Sequence, residues 1–244
     1  MIIKNLSELL SHGNIKGRKI ALDIIEHSLA EIDSCKLVKK LVKLEKGKLK
    51  VGELEYDLSE IRRIFVIGAG KGSLFIARGL EEVLGDLITG GVIIEKKGQG
   101  GRLRRIKVVE AGHPIPDEDG LKGAKEVVRI AEEAKEGDLV FACITGGCSA
   151  LMTFPADGIS LEDVKKVTDL LLKCGADIQE INAVRKHISS VKGGRLALKV
   201  HPAELISLIV VDEVRGLPWG PTVPDTTTFE DARRVLRKYD LWEK

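Results

Sequence analysis

Aromatic residues are scarce in this sequence, and its charges nearly cancel. Phe, Trp and Tyr make up 4% of the 244 residues, and the formal net charge is +2. Proteins that bind single-stranded nucleic acids stack bases on aromatic side chains and follow the phosphate backbone with a basic surface. Because both features are missing, we expect no nucleic acid among the partners of this protein.

Long apolar segments are also missing. The strongest apolar run, Leu205–Val211, is far shorter than the roughly 20 residues that a membrane-spanning helix needs. The N-terminus lacks the charged-then-apolar pattern of a signal peptide. We therefore expect no membrane partner and a cytoplasmic location.

The four cysteines form no recognisable motif. They contain no C-x-x-C pair and have no histidine at metal-ligand spacing. We interpret them as free, mostly buried thiols in a reducing compartment. They are Cys35, Cys143, Cys148 and Cys174.

Short apolar runs alternate with helical patterns along the chain. Such runs are typical of strands buried on both faces of a parallel sheet, and they begin near Ile64, Gly90, Ile106, Asp138 and Leu205. Neither an internal repeat nor a linker interrupts the alternation. The pattern predicts an α/β fold with a doubly wound, mostly parallel sheet and helices on both faces, which is Rossmann-like, in a single domain over residues 1–244.

The segment before the first of these runs offers no candidate for chemistry. Residues 6–34 have a helical pattern, and residues 36–56 alternate around a polar tip, which predicts a hairpin. The apolar side chains on one face of the predicted helix are Ile20, Ile24, Ile25 and Leu29.

The turn G-A-G-K-G-S at residues 68–73 follows the first buried strand and precedes a helix. That arrangement directs helix N–H groups at a phosphate. It is not a Walker loop, and it matches a dinucleotide fingerprint only in part, because Ser73 stands at the third glycine and only Glu95 could supply the acidic residue. A glycine-rich turn alone is a weak signal. The candidate phosphate-binding residues here are Gly68, Gly70, Lys71 and Ser73.

A second glycine turn, Thr145-Gly146-Gly147-Cys148-Ser149, follows the strand that begins at Asp138. Two such turns on neighbouring strands would face one crevice, which strengthens both predictions. Ser149 as an acyl nucleophile is a competing interpretation, but the turn lacks the G-x-S-x-G pattern. His113, in a proline-stiffened loop after another strand, either touches substrate or bonds a backbone carbonyl.

The segment Asp177–Arg195 combines an apolar stripe with a cationic face. Ile178, Ile181, Val184, Ile188 and Val191 recur at helical spacing, and Asp177 with Glu180 has the pattern of a capping box. On the opposite face, polar side chains lie close together and could bind phosphate or carboxylate. Two adjacent glycines follow the helix and would let backbone N–H groups approach the same ligand. A solvated helix with a glycine C-cap is the alternative. The candidate residues are Asn182, Arg185, Lys192, Gly193, Gly194 and Arg195.

Asp212 ends the last strong strand. A carboxylate at this position could hold Mg²⁺ or accept a proton from an attacking hydroxyl.

Five motifs together resemble the N-terminal domain of glycerate 2-kinases, a family whose members were often labelled hydroxypyruvate reductases. The resemblance implies ATP- and Mg²⁺-dependent phosphoryl transfer to the 2-hydroxyl of D-glycerate. It also implies that Lys71 is the catalytic lysine, that Ser149, Asn182 and Arg185 line the cleft, and that Asp212 is the acidic or metal-binding partner. In chain order the motifs are G-A-G-K-G-S, G-H-P-I-P-D, T-G-G-C-S-A-L, D-I-Q-E-I-N-A-V-R-K-H-I-S-S-V-K-G-G-R-L-A and G-P-T-V-P-D.

The second domain of that family, called MOFRL, has no counterpart in these 244 residues, although the family's active site lies between its two domains. Three hypotheses therefore stand. In the first, the chain is a glycerate kinase completed by a separately encoded second domain or by another subunit of a homo-oligomer. In the second, it is a non-catalytic homologue that keeps an anion-binding cleft. An NAD(P)-dependent hydroxypyruvate reductase is a third hypothesis, against which the incomplete fingerprint argues.

Overall fold

The structure is a computed structural model and describes residues 2–211 and 218–243. Its larger sheet has the strand order β6-β5-β4-β7-β8, and every neighbouring pair is parallel. The predicted α/β fold with a doubly wound parallel sheet is therefore confirmed. The strands are β4 (Arg63–Ala69), β5 (Ile88–Lys96), β6 (Ile106–Ala111), β7 (Asp138–Ile144) and β8 (Glu204–Ile209).

Helices cover both faces of this sheet. On one face, α4 (Ser73–Leu84) shares a core with Val66 and Phe141. On the other, α5 (Glu118–Glu133) and α9 (Arg195–Val200) share a core with Ile67. Residues adjacent along β4 thus point to opposite cores, as the period of a strand requires. The remaining helices between β4 and the C-terminus are a 3₁₀ turn (Gly85–Leu87), α6 (Cys148–Leu151), α7 (Leu161–Lys173), α8 (Ile178–His187) and α10 (Phe229–Lys238).

The strand order reverses between β4 and β7, because the chain leaves β4 for β5 and returns to the other side of β4 with β7. In open α/β sheets a crevice forms at this point, beyond the carboxyl ends of the two strands. Both predicted glycine turns follow these two strands. The topology therefore brings them to one crevice.

The N-terminal part contains three helices and a small antiparallel sheet. Residues 34–41 are helical rather than part of a hairpin, and a third strand extends the predicted pair. The predicted apolar helix face exists, but it is not core: α2 has no buried residue, and Ile24 is 61% exposed. The elements are α1 (Leu6–Leu9), α2 (Ile15–Glu31), α3 (Ser34–Leu41), β1 (Val42–Glu45), β2 (Lys48–Val51) and β3 (Leu54–Asp57).

The predicted capping box of Asp177 and Glu180 is confirmed, and a second capping box begins α7 at Ser160. α8 ends at His187 instead of continuing through Val191. Within the described residues, every helix is too short or too polar to cross a lipid bilayer.

Candidate functional site

The two glycine turns are joined by backbone hydrogen bonds. The Lys71 N–H donates to the Gly146 carbonyl at 2.8 Å, and the Thr145 N–H donates to the Ala69 carbonyl at 3.2 Å. A Cβ at Gly70, where φ is +142°, would lie 2.1 Å from Thr145 Oγ1, so only glycine lets the turns approach this closely. Gly68 packs against β7 in the same way, since a Cβ there would lie 2.1 Å from the Cys143 carbonyl oxygen.

Lys71 and His113 meet above Gly147. A Cβ at Gly147 would lie 3.0 Å from Nε2 of His113 and 3.2 Å from Cε of Lys71. Burial, followed by the positive charges of Lys71, Lys96 and Arg185, lowers the pKa of His113. The imidazole is therefore held in its neutral form among cations, where it can accept a hydrogen bond from a substrate hydroxyl.

Arg185 extends from α8 to the other end of the second turn. Its Nη2 donates to the Ser149 carbonyl at 2.9 Å, while Nε is buried and has no hydrogen-bond partner among the described residues. Burial lowers the pKa of the guanidinium. No carboxylate of the described part of the chain forms an ion pair with it. Arg185 is thus a cation without a carboxylate partner, and its buried Nε has no acceptor among the described residues.

Lys192 is a second cation beside Arg185. Its Nζ donates to the Met152 carbonyl at 3.0 Å. Burial, together with the charge of Arg185, lowers the pKa of Lys192 to about 7. Lys192 and Arg185 also line a narrow crevice with Phe154 and Ser189. The ammonium is therefore destabilised in the ligand-free protein and would be stabilised by a bound anion.

The loop Lys192–Arg195 is packed more tightly than the sequence suggested. A Cβ at Gly193 would lie 3.0 Å from Cβ of Asp225, and one at Gly194 would lie 3.1 Å from Cα of Pro224. The Arg195 guanidinium donates to the Lys186 carbonyl at 2.7 Å, so it caps the C-terminal end of α8. In this structure these three residues have packing roles, and direct contact with a ligand stays a prediction for them.

Asp225 is a site residue that the sequence interpretation missed. Its Oδ1 accepts from Nζ of Lys186 at 2.9 Å and from the Thr227 N–H at 2.8 Å, whereas Oδ2 is buried without a partner among the described residues. Burial would raise the pKa of Asp225, but the bonds from Lys186 and Thr227 outweigh it and the pKa is lowered. The only sequence signal was its place at the end of the proline-rich loop.

Ser73 lies under the first turn and not in the cleft. It is fully buried, and its hydroxyl donates to the Gly70 carbonyl at 3.1 Å. The N–H groups of Gly72 and Leu74, at the start of α4, donate to the buried carboxylate of Glu95 at distances of 3.0 and 3.2 Å. The predicted phosphate position at this helix start is therefore occupied by a side chain of the protein.

The other predicted residues fall around the second turn or outside the described residues. Thr145 is 4% exposed, and its hydroxyl has no partner in the described part of the chain. Ser149 and Asn182 are half-buried, and Asn182 lies one turn before Arg185 on α8. Asp212 lies outside the described residues. Within residues 2–211 and 218–243, no group of three or more His, Cys, Asp or Glu could hold a metal ion.

Comparisons with known proteins agree with the motifs. The model of a family described as a domain of unknown function, DUF4147, matches residues 20–244. A glycerate 2-kinase of Pyrococcus horikoshii is 46% identical and covers 93% of this chain and 51% of its own length. The chain spans about half the length of the curated relatives it matches.

Solved structures show the same relation. A protein from Pyrococcus horikoshii has a TM-score of 0.83 at 46% identity, over 93% of this chain and 52% of that one. The glycerate kinase of Thermotoga maritima has a TM-score of 0.78 at 36% identity, over 91% and 52% of the two chains. The chain therefore belongs to the DUF4147 family, and its predicted resemblance to glycerate 2-kinases is confirmed over most of its length.

Proposed function

We propose that this chain is the phosphate- and substrate-binding half of a glycerate 2-kinase, which transfers a phosphoryl group from ATP to D-glycerate. The supporting observation is a set of cations around the second glycine turn. Lys71 and Arg185 approach this turn, Lys192 bonds the Met152 carbonyl shortly after it, and none of the three has a carboxylate partner among the described residues. Lys186, by contrast, is paired with Asp225. Unpaired cations that converge in one crevice indicate an anionic ligand.

The turn itself adds donors to these cations. The N–H groups of Gly146, Gly147 and Ser149 have no acceptor among the described residues. Phosphoryl transfer needs mainly positioning and compensation of negative charge on the transferred group, and such backbone donors with two or three cations supply both. The residues present therefore fit the phosphates of ATP.

Each side chain has a distinct part in this proposal. Lys71 is exposed on the first turn and compensates charge on the transferred phosphoryl group. Arg185, whose side chain lines the crevice beside Lys192, binds a phosphate or carboxylate oxygen and holds it in a fixed orientation. His113, neutral at physiological pH, accepts the hydrogen bond of the glycerate hydroxyl and directs its oxygen towards the phosphoryl group.

Magnesium depends on a residue that the structure does not describe. Asp212 remains the predicted ligand, and the described residues offer no alternative cluster. Bound magnesium would compensate phosphate charge. Oδ2 of Asp225 is one carboxylate oxygen without a hydrogen-bond partner among the described residues, but a single oxygen does not form a coordination shell.

The other wall of the site has to come from elsewhere. The relatives that carry the glycerate kinase name are about twice as long as the matched region, and Lys71 is solvent-exposed in this chain. We propose that a second domain, or a second subunit, closes the cleft and excludes water from it. If nothing closes it, the chain is an anion-binding homologue without turnover.

The reductase alternative finds no support in the geometry. A dinucleotide places its pyrophosphate at the start of the first helix after the glycine turn. In this chain that position contains the Glu95 carboxylate, which would repel phosphate.

The test is a coupled ADP-release assay with D-glycerate and Mg²⁺-ATP, run with and without the C-terminal half of a full-length relative. We expect turnover in the completed protein and its loss in Lys71→Ala, because the Lys71 side chain lies beside Gly147 of the second turn. Lys199→Ala is the matched control, since Lys199 pairs with Glu132 on the surface. Unchanged turnover in Lys71→Ala would remove this lysine from the mechanism, and ATP binding without turnover would favour the non-catalytic alternative.

A further inference from the structure

Glu95 is a buried carboxylate without a cation. It is the penultimate residue of β5 and is 1% exposed, and no lysine, arginine or histidine of the described residues pairs with it. Its bonds come from backbone N–H groups: Gly72 at 3.0 and 3.1 Å, Leu74 at 3.2 Å and its own neighbour Lys96 at 3.1 Å. A buried charge held only by backbone donors is unusual, because buried carboxylates are normally paired.

The position of the Glu95 carboxylate at the start of α4 explains how it is stabilised without a cation. The first N–H groups of a helix have no intrahelical acceptor, and the helix dipole places partial positive charge there. The cap residue of α4 is Gly72, which has no side chain to accept those bonds. Glu95, from the neighbouring strand, supplies the missing acceptor and the negative charge.

The two glycine turns therefore differ. At the turn after β4, the N–H groups of Gly72 and Leu74 are filled by Glu95. At the turn after β7, those of Gly146, Gly147 and Ser149 are without acceptors in the described part of the chain. Lys71 belongs to the first turn, and its own N–H donates to the Gly146 carbonyl of the second turn.

We propose that Glu95 determines which turn receives phosphate. Its carboxylate excludes phosphate and dinucleotides from the start of α4, and it fixes the Gly72 side of the turn so that the Lys71 side chain extends over Gly147. Phosphate is thereby confined to the turn at residues 145–149; this second part rests on the proposed function. Glu95 is a positioning and specificity-determining residue and does not itself touch the phosphate.

The first experiment titrates inorganic phosphate into the full chain by calorimetry. We expect one phosphate per wild-type chain and two per Glu95→Ala chain, because the truncation exposes the N–H groups of Gly72 and Leu74. Phosphate should also raise the thermal midpoint of Glu95→Ala more than that of wild type, since the anion replaces the lost carboxylate. Glu110→Ala is the matched control: its carboxylate also accepts from backbone N–H groups, those of Gly98 and Gly100, but in a loop. This control should gain no phosphate.

The second experiment needs no variant, so it decides the matter if Glu95→Ala does not fold. Amide resonances of the wild-type chain are followed by NMR during the phosphate titration. Those of Gly146, Gly147 and Ser149 should shift, while those of Gly72 and Leu74 stay unchanged up to saturation. Phosphate-dependent shifts of Gly72 and Leu74 equal to those of the second turn would overturn the role of Glu95.

The outcomes separate the two proposals. One phosphate in both wild type and Glu95→Ala would refute the role of Glu95 and leave the proposed function intact. No phosphate in wild type but one in Glu95→Ala would support the exclusion by Glu95 and refute the proposed anion site at residues 145–149.

Discussion

Replacing Arg185 by methionine should strengthen the fold and weaken ligand binding. The guanidinium is partly withdrawn from water, has no carboxylate partner among the described residues and leaves its Nε without an acceptor. Methionine keeps the apolar stem that packs beside Phe154 and Ile188. A residue whose charge is unfavourable without ligand, yet is retained in the cleft, is best explained by binding.

The magnitudes follow from the contacts. Replacing a buried ion pair by apolar residues of similar volume is often neutral or stabilising by about 1–4 kcal/mol, and Arg185 has no carboxylate partner among the described residues that its loss would leave unpaired. The variant loses the bond to the Ser149 carbonyl, which water can replace because Ser149 is half-buried. We therefore expect the free energy of unfolding of the ligand-free protein to rise by about 1 kcal/mol. Loss of a charge-assisted bond to phosphate should weaken binding by at least about 1.4 kcal/mol, which is tenfold.

The assay is urea unfolding in buffer free of phosphate and sulfate, followed by calorimetric titration with phosphate. Arg195→Met is the control, because its guanidinium donates to the carbonyls of Lys186 and Lys192 and caps α8. This control should lose about 1–3 kcal/mol of unfolding free energy. If Arg185→Met instead loses stability as Arg195→Met does, and binds phosphate as tightly as wild type, Arg185 is a structural residue and the argument fails.

Two further predictions concern Lys192 and α2. Burial lowers the pKa of Lys192 to about 7. Sulfate does not titrate in this range, so its affinity should fall by up to about tenfold for each pH unit above 7, as Lys192 loses its proton. In calorimetry, Lys192→Met should remove this pH dependence. The unfolded chain keeps the proton up to its ordinary pKa of 10.5, so the free energy of unfolding without ligand should rise from pH 7 towards pH 10.5, and a fall would contradict the assignment. Ile24→Ala should change the free energy of unfolding by less than about 0.5 kcal/mol in urea titrations, whereas Ile67→Ala, fully buried in β4, should lower it by about 2–5 kcal/mol. A large effect of Ile24→Ala would mean that α2 is buried in solution.

Local signals in the sequence predicted the parallel sheet and most of its boundaries. Asp138–Ile144 is buried at every position, so its continuous apolar run predicts a buried strand without any information about the segments that pack on it. Ser160 and Asp177 accept bonds from residues only two or three positions away, which makes a cap readable from sequence spacing alone. The joining of the two glycine turns followed from the general position of ligand sites in open sheets.

Contacts between distant segments could not be predicted in this way. α8 ends at His187 because Ser189 and Ser190 turn away to bond the Phe154 and Pro155 carbonyls, which a helical stripe does not reveal. Asp117 and not its acidic neighbour Asp119 caps α5, although both carboxylates lie beside Lys97. The apolar face of α2 has helical spacing, but spacing alone does not say what will cover it.

Glu95 shows why a glycine-rich motif and the anion site it predicts can lie in different places. A strand, a glycine turn and a helix start predict an anion at the helix, and the prediction is chemically correct, since an anion is bound there. The anion is a side chain from β5, so the same geometry that would bind phosphate instead fixes the turn that carries Lys71. The open donors and unpaired cations then lie one strand away, around Gly147. An anion site of this fold is therefore better located by asking which backbone N–H groups remain without an acceptor than by the glycine pattern alone.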